Sequence, residues 1–436
     1  MRKTKVLHLI THLGFGGASD NTLLTVKDLS RARYEVHLGA GTEYVDWVEQ
    51  GQEYADAFIL FPNLYRSPRP LADLRLLWQL TRFLRAQRYD IVHTHNAKAG
   101  VIGRLAAYLA GVPIILHSMH LLSWQDMEAD RSGWWPQFKA ALQGRIYFGA
   151  EKFAAALSDM VITVSQLNRE EAATAGLAPR HKLATVYSGI EYDRFRVVVD
   201  KAEKCRALGL SPTQPIVGII GRLSPQKAPL DFVAAAKAVL AQRPDVQFLM
   251  VGDGPLSQEV HAAIGAETRI KLLGYRDDVP ELLAILDIFA LSSLWEGLGR
   301  ALTEAMSVGI AVAATAVNGI PEIVHHGETG LLSPPAEPQQ LAKNILWLLN
   351  HPQEAAAISR RGQEQVLPHF GAQQMIDQIE AIYETLLAKK GRVVAGSGPE
   401  PLLHTPMQSP TETPSHAEAL SPTAGERQRQ KEQFNA

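Results

Sequence analysis

The sequence predicts an α/β protein made of two successive βαβ series followed by a tail that does not fold. Three observations carry this. Short apolar runs alternate with helical patterns from Val6 to about residue 190, the alternation restarts after residue 212, and the character of the chain changes at Gly391. Strands that alternate with helices imply parallel sheets covered by crossover helices.

The first series opens with Val6–Ile10, an apolar run that reads as a buried strand. A glycine-rich loop follows, Gly14-Phe15-Gly16-Gly17, and then a helical pattern carrying Leu23, Leu24 and Val26. Further strands are expected at Tyr34–Leu38, Ala57–Leu60, Ile91–Val92, Ile114–Leu116 and Val161–Val164, with helices at Leu71–Arg85 and Val101–Ala110 between them. The second series runs through strands at Pro215–Ile220, Val246–Val251, Ile270–Leu273, Ile288–Leu291 and Ile310–Ala314, with a helix at Leu230–Leu240. Met375, Ile376, Ile379, Ile382, Tyr383 and Leu386 recur at helical spacing and mark a last helix, which is expected to return to the first domain. The expected division is a first domain over 1–195, a charged junction over 196–212, a second domain over 213–390 and a tail over 391–436. The tail holds six prolines among Ser, Thr, Glu, Gln and His, with too few large apolar residues to offset chain entropy.

Composition excludes several classes. At 436 residues, with 46% hydrophobic and 20% charged residues, the chain is an ordinary globular protein. Lys plus Arg is 43 against 45 for Asp plus Glu, a net charge of -2, which argues against nucleic acid as a partner. The single cysteine, Cys205, rules out an intramolecular disulfide and a Cys-rich zinc site, and fits a reducing cytosol. No apolar run approaches the roughly 18 residues of a membrane span. A cytoplasmic protein is expected.

Four sets of residues carry candidate chemistry. The loop Gly14–Gly17 lies between a strand and a helix, where backbone amides and the helix dipole favour a phosphate. Ser19 occupies the third glycine position of the dinucleotide fingerprint, so a nicotinamide site is a weak match and a plain tight turn stays open. Arg222 and Lys227 follow the first strand of the second series, at the strand end where open α/β sheets bind ligands. A guanidinium fork and a lysine point charge suit a diphosphate, although surface cations are also common without one. In Glu296-Gly297-Leu298-Gly299-Arg300-Ala301-Leu302-Thr303-Glu304, seven residues separate two carboxylates and two glycines open a helix. Amides from Leu298 to Leu302 are placed to meet a phosphate, and Glu296 and Glu304 to meet hydroxyl groups; a solvated, Glu-bearing helix start is the plainer alternative. His93 and His95 alternate on one strand and share a face, but no third ligand stands at a suitable spacing, so a packing or acceptor-side role is favoured over a metal. Between Ser123 and Lys152, Trp124, Trp134, Trp135, Phe138, Tyr147 and Phe148 mix with Arg131, Lys139, Arg145 and Lys152, a composition that suits either core packing or a membrane interface.

Taken in order, Gly221-Arg222-Leu223-Ser224-Pro225-Gln226-Lys227, the Glu296–Glu304 motif and Asn318-Gly319-Ile320-Pro321-Glu322-Ile323-Val324 resemble the retaining glycosyltransferases of family 4. Val251–Pro255, Leu273–Asp278 and Gly327–Leu332 strengthen the likeness, which spans about 1–390. Ile91–Gly100 is similar to members that build surface polysaccharides or lipid-linked sugars. The resemblance implies a GT-B fold, two Rossmann-like domains facing a cleft. It also implies transfer of a sugar from a nucleotide donor, UDP-linked, to a glycan or lipid-linked acceptor by a front-face route. Gly16 and Gly17 would line the donor phosphates, and Arg222 and Lys227 would neutralise the leaving diphosphate. Glu296 would bind donor-sugar hydroxyls and Glu304 the ribose. Gly297, Leu298, Gly299 and Leu302 would hold the donor through amides, Tyr275 and Arg276 would border the base, and His120 matches the active-site histidine. With no Asp-x-Asp in the chain, no metal or other cofactor is expected. The aromatic stretch at 123–152 would bring the protein to the inner membrane face as a peripheral contact. A nucleotide-sugar epimerase of the same fold and a non-catalytic sugar-nucleotide-binding protein are the rival readings.

Overall fold

The computed structural model describes residues 2–14, 16–43, 46–121 and 134–392, with no side-chain account over 134–142. All of these lie within one compact unit, Met1–Ser397. The expected tail from residue 393 onward, and Trp124, Trp134, Trp135 and Phe138 of the aromatic stretch, lie outside what is described.

Two parallel sheets organise the chain. The first contains β1 (Thr4–Ile10), β2 (Tyr34–Gly41), β3 (Ala57–Phe61), β4 (Ile91–His95), β5 (Ile114–Met119), β6 (Met160–Thr163) and β7 (Leu183–Thr185) in the order β3-β2-β1-β4-β5-β6-β7. The second contains β8 (Ile216–Ile220), β9 (Gln247–Val251), β10 (Ile270–Leu272), β11 (Ile288–Leu291), β12 (Ala311–Thr315) and β13 (Leu331–Ser333) in the order β10-β9-β8-β11-β12-β13. Strand order reverses between β1 and β4 and again between β8 and β11. At such switch points the loops leaving the strand ends part and open a crevice.

The inner strands are largely buried on both faces, as their continuous apolar runs require, whereas the edge strands β3, β7 and β10 are partly exposed. Alternation then assigns the faces. Leu7 and Leu9 join Leu76, Leu80 and Leu84 on one side of the first sheet. Val6 and Ile10 face the other side, where Met375, Ile376, Ile379, Ile382 and Tyr383 of the last helix (Ala372–Lys389) complete the core. The last helix thus packs on the first sheet although it follows the second in the chain. The second sheet closes its own core around Val217, Phe232, Phe248, Ala313 and Ile345. β7 and β13, each of three residues, went unread in the sequence because so short an edge shows no periodicity. Within 196–212 the structure has a helix, Lys201–Ala207, capped by the Asp200 carboxylate, which accepts from the Ala202 amide at 2.9 Å and the Glu203 amide at 3.0 Å. Its Cys205 is fully buried, and its Lys204 pairs with Asp278 and Glu281 of the second domain.

Candidate active site

The second switch point gathers the first group of predicted residues. The chain leaves β8 through Gly221 and Arg222 and makes a short turn, Pro225–Lys227. The loop after β11 holds that turn: the Leu294 amide donates to the Gln226 carbonyl at 2.8 Å, and Ser292 Oγ donates to the Lys227 carbonyl at 2.9 Å. Lys227 Nζ thereby meets the Glu296 carboxylate in a largely buried ion pair. Ser293 Oγ donates to the same carboxylate at 2.7 Å, the Glu296 amide donates to Asn318 Oδ1 at 3.0 Å, and Gln226 Nε2 donates to the Trp295 carbonyl at 3.1 Å. A buried carboxylate held by Lys227 and Ser293, on a backbone anchored through Asn318, is fixed in place. Arg222 is exposed and lies near His12 of the first domain. Burial, with Arg66 and Arg222 adding to it, lowers the His12 imidazole to about 4.

Between the two glutamates the backbone is shaped by glycines. Gly299 takes φ 82° and starts the helix Arg300–Ser307, and a side chain there would strike Ile320. Gly297 has no room for a Cβ, because the His120 carbonyl of the first domain stands against it. His120, at the end of β5, is therefore brought to the Glu296–Glu304 loop. Leu298 and Leu302 are buried. The Leu302 amide, expected to meet the donor, instead donates to the Gly299 carbonyl at 2.8 Å and closes the first turn of the helix, so the expectation does not hold for Leu302.

Glu304 is less simply placed than the sequence suggests. Arg300 Nε donates to Glu304 Oε1 at 2.9 Å, and the same guanidinium lies 3.2 Å from Asp20 Oδ2 on the helix Gly17–Asp28 of the first domain. Gly17 faces the Arg300 side chain, which puts the glycine loop of the first domain beside the second carboxylate. Burial raises the pKa of both Glu304 and Asp20, with Arg300 pulling each back down. The Tyr275 hydroxyl donates to Asp277, and Arg276 forks onto Asp278 at 2.8 and 2.6 Å.

The histidine pair on β4 needs a correction. The third imidazole absent from the local spacing is His8, on the neighbouring strand β1 and in register with His93. The three rings offer nitrogens within 4.8 Å of one another and are buried. His8 Nδ1 and His95 Nε2 are 3.0 Å apart with nearly parallel rings, and both nitrogens of His93 are engaged, Nδ1 with the Tyr383 hydroxyl at 2.7 Å and Nε2 with Ser118 Oγ at 2.8 Å. In this structure these nitrogens meet one another and neighbouring hydroxyl groups. His95 Nδ1 lies 3.4 Å from His120 Nε2, so the cluster reaches the candidate site.

Sequence reasoning passed over His8, Asp20, Ser118, Gln226, Ser293 and Tyr383. Gln226 and Ser293 lie inside or beside quoted motifs and were within reach. Asp20 sits one turn after the glycine loop, where helix-dipole logic explains an acid without any ligand. The others depend on strand register.

Comparison with known proteins agrees with this geometry. The family described as Glycosyl transferases group 1 matches residues 200–365, and the Glycosyl transferase 4-like domain matches residues 16–189. An Escherichia coli UDP-Gal:alpha-D-GlcNAc-diphosphoundecaprenol alpha-1,3-galactosyltransferase is 28% identical over 400 residues, covering 89% of this chain and 98% of its own. N-acetyl-alpha-D-glucosaminyl L-malate synthase from Bacillus anthracis is 29% identical over 335 residues, covering 74% of this chain and 82% of its own. Among solved structures, Anabaena HepE in complex with UDP superimposes with a TM-score of 0.72 at 26% identity, covering 88% of this chain and all of that one.

Proposed function

We propose, from the premise that the chain belongs to the family 4 glycosyltransferases of GT-B fold, that it moves a sugar from a UDP-linked donor to a glycan or lipid-linked acceptor with retention of configuration. That it is a glycosyltransferase follows from the two matched families, which between them cover both domains. Neither rival reading, epimerase or non-catalytic binder, gains support from the relatives. The UDP donor is supported by the UDP complex of HepE and by the donor named for the E. coli relative, and the lipid-diphosphate acceptor by that same relative.

One observation carries the assignment of the site: Lys227 and Glu296 pair at the second switch point while the His120 carbonyl of the first domain abuts Gly297. In the proposed reaction the bond from the anomeric carbon to the diphosphate oxygen breaks and a bond to the acceptor oxygen forms on the same face. The leaving phosphate oxygen takes the acceptor proton. Both carboxylates are already engaged, Glu296 by Lys227 and Ser293 and Glu304 by Arg300, which favours this route over a carboxylate nucleophile. Lys227 and Arg222 stabilise the charge that develops on the diphosphate. Glu296 holds donor-sugar hydroxyls, and amides from Gly297 to Ala301 and the Gly16–Gly17 loop hold the phosphates. Glu304 keeps one oxygen for the ribose while Arg300 holds the other. Tyr275 and Arg276 border the base. Two fixed cations supply the charge a divalent ion would bring, so transfer is expected to survive chelation by EDTA.

A lipid-linked acceptor places the enzyme at a bilayer, on the cytoplasmic face. No helix among the described residues is long and apolar enough to cross a membrane. Peripheral contact is supported by the helix Pro70–Gln87, where Leu71, Leu74 and Trp78 are 75%, 64% and 60% exposed on one stripe. Arg75, Arg82 and Arg85 flank it, and Arg82 lies 4.6 Å over the Trp78 ring. Ile146 and Phe153 of the helix Trp134–Ala156 are exposed as well. Apolar side chains rimmed by arginines suit an anionic bilayer.

The deciding experiment is a donor screen by ligand-induced thermal shift followed by transfer to a diphosphate-linked sugar. A UDP-sugar is expected to raise Tm and its sugar to appear on the acceptor as the retained anomer. A chain that binds no UDP-sugar, or that releases the inverted anomer, overturns the reading.

A further inference from the structure

The first domain holds a run of buried polar groups that the transfer chemistry above does not use. It begins at His120, whose Nε2 lies 3.4 Å from His95 Nδ1. His95 Nε2 lies 3.0 Å from His8 Nδ1, and His8 Nε2 lies 3.3 Å from the Tyr383 hydroxyl. The same hydroxyl meets His93 Nδ1 at 2.7 Å, and His93 Nε2 meets Ser118 Oγ at 2.8 Å. For His8 and His95 the ring centroids are 5.3 Å apart with planes 18° from parallel; for His95 and His120 the values are 5.6 Å and 25°. In both pairs the centroid distance exceeds the nitrogen–nitrogen distance by about one ring diameter. The rings therefore meet edge to edge, nitrogen to nitrogen, as a hydrogen bond requires.

Proton counting gives the chain a direction. Burial holds His8 at about 3 and His120 at about 4, lowers His93 and His95 well below the ordinary range and raises Tyr383 well above its own. All members are thus neutral at physiological pH, with one N–H per imidazole and one O–H per hydroxyl. Six groups offer one proton each to five links. A neutral imidazole cannot accept at both nitrogens, and the buried Tyr383 hydroxyl fills both its links only by accepting from one neighbour and donating to the other, so all links run one way and the accepting end keeps its proton outside the run. Ser118 sets the way. It is buried, and among the described residues its hydroxyl meets only His93, so there it donates or is left unmet. His93 then carries its proton on Nδ1 and donates to Tyr383, which donates to His8 Nε2. His8 donates from Nδ1 to His95 Nε2, and His95 donates from Nδ1 to His120 Nε2. The relay ends with Nε2 of His120 occupied as an acceptor and the proton on Nδ1.

We propose that Ser118, His93, Tyr383, His8 and His95 form an ordered relay that fixes His120 as its Nδ1–H tautomer, and that Tyr383 is a positioning residue for sugar transfer. Ser118 is a buried end with no onward partner among the described residues, so the relay orders protons and does not conduct them. Because Tyr383 belongs to the last helix, the relay also ties the docking of that helix on the first sheet to the state of His120. This inference rests on the reading of His120 as a residue of the active site.

Tyr383→Phe removes one oxygen and keeps the ring in the core; Ser118→Ala removes the donor that sets the direction and serves where the first variant folds poorly. Nitrogen-15 spectra of histidine-labelled protein read the His120 tautomer directly. The wild type is expected to show a protonated Nδ1 and an accepting Nε2, and either variant a mixture of both tautomers. In transfer assays kcat is expected to fall about tenfold, the scale of one oriented hydrogen bond, with KM for the donor little changed. A single, unchanged His120 tautomer with wild-type kcat in both variants overturns the relay. His120→Gln separates the two layers of the argument: if it transfers at the wild-type rate, the active-site reading of His120 fails, whereas the tautomer spectra still decide whether the relay exists.

Discussion

Lys227 shows what one residue is asked to do. Its ammonium is held by the Glu296 carboxylate in a group also braced by Ser293 at 2.7 Å, so its position is set before any donor arrives. Preorganised charge of this kind is worth about 10²–10³ in rate when one group is removed. Lys227→Met is expected to lower kcat by that amount. Ser293 keeps a bond to Glu296, and the melting temperature should fall by only a few degrees. Steady-state kinetics alongside a thermal melt measure both, and wild-type turnover would remove Lys227 from the mechanism. Gly297 gives a second test at the same scale. A methyl there overlaps the His120 carbonyl, so Gly297→Ala must push the two domains apart at the point where the site closes. Donor-induced stabilisation should disappear in this variant while both domains remain folded by circular dichroism. These two positions were legible in the sequence because each lies in a contiguous loop at a strand end. His8, Ser118 and Tyr383 were not, since their meeting depends on strand register and on the return of a helix: His8 and His95 are 87 positions apart and His8 and Tyr383 are 375.

At the scale of elements, the two switch points explain why loops distant in sequence share a site. β8 and β11 are neighbours with their connections on opposite sides, so the Arg222–Lys227 turn and the Glu296 loop open toward each other. That much of the fold followed from the alternation of strands and helices. The face that each helix leaves outward did not, because an amphipathic pattern tells which residues are apolar and not which of them find a partner. The helix Pro70–Gln87 buries Leu76, Leu80 and Leu84 and leaves Leu71, Leu74 and Trp78 outside, although all six are equally apolar. Replacing the outer three by glutamine keeps the buried stripe intact. The variant is therefore expected to lose flotation with vesicles containing anionic lipid and to bind UDP-sugar as the wild type does. Flotation equal to wild type would clear this helix of a membrane role, and loss of a dimer in place of flotation would assign the stripe to a second copy of the chain.

At the scale of the whole molecule, the histidines stacked through the first sheet make stability depend on pH. His8, His93, His95, His117 and His120 all have lowered folded pKa values, with burial the largest cause in each. The groups facing them include one another, the Tyr383, Ser118 and Thr94 hydroxyls, and the Glu151 carboxylate 3.7 Å from His117, with Arg31 adding to the shift of His8 and Arg104 to that of His117. The unfolded chain binds protons on these rings as pH falls through about 6.5, while the folded chain does not until about 4 at His120 and about 3 at His8. The folded state is thus favoured above the unfolded value and loses stability across that window, on the order of 3 kcal/mol for His120 alone by about pH 4. Glu304 and Asp20 act in the opposite sense, since burial raises their folded values and protonation on folding adds stability as pH falls. Burial raises Asp28, Glu171 and Asp231 as well, but His12 and His37 join the lowered imidazoles, and above about pH 5 the rings, which titrate near 6.5 when unfolded, set the net slope. Melting temperature is expected to be level between about pH 7 and 8 and to fall steadily below about 6.5, in a window where surface carboxylates have barely begun to titrate. His8→Asn removes one titrating ring and should flatten the slope relative to wild type, whatever it does to the absolute Tm. A melting temperature that stays level to pH 5, or a slope unchanged in His8→Asn, would show that the rings are not held neutral by the fold.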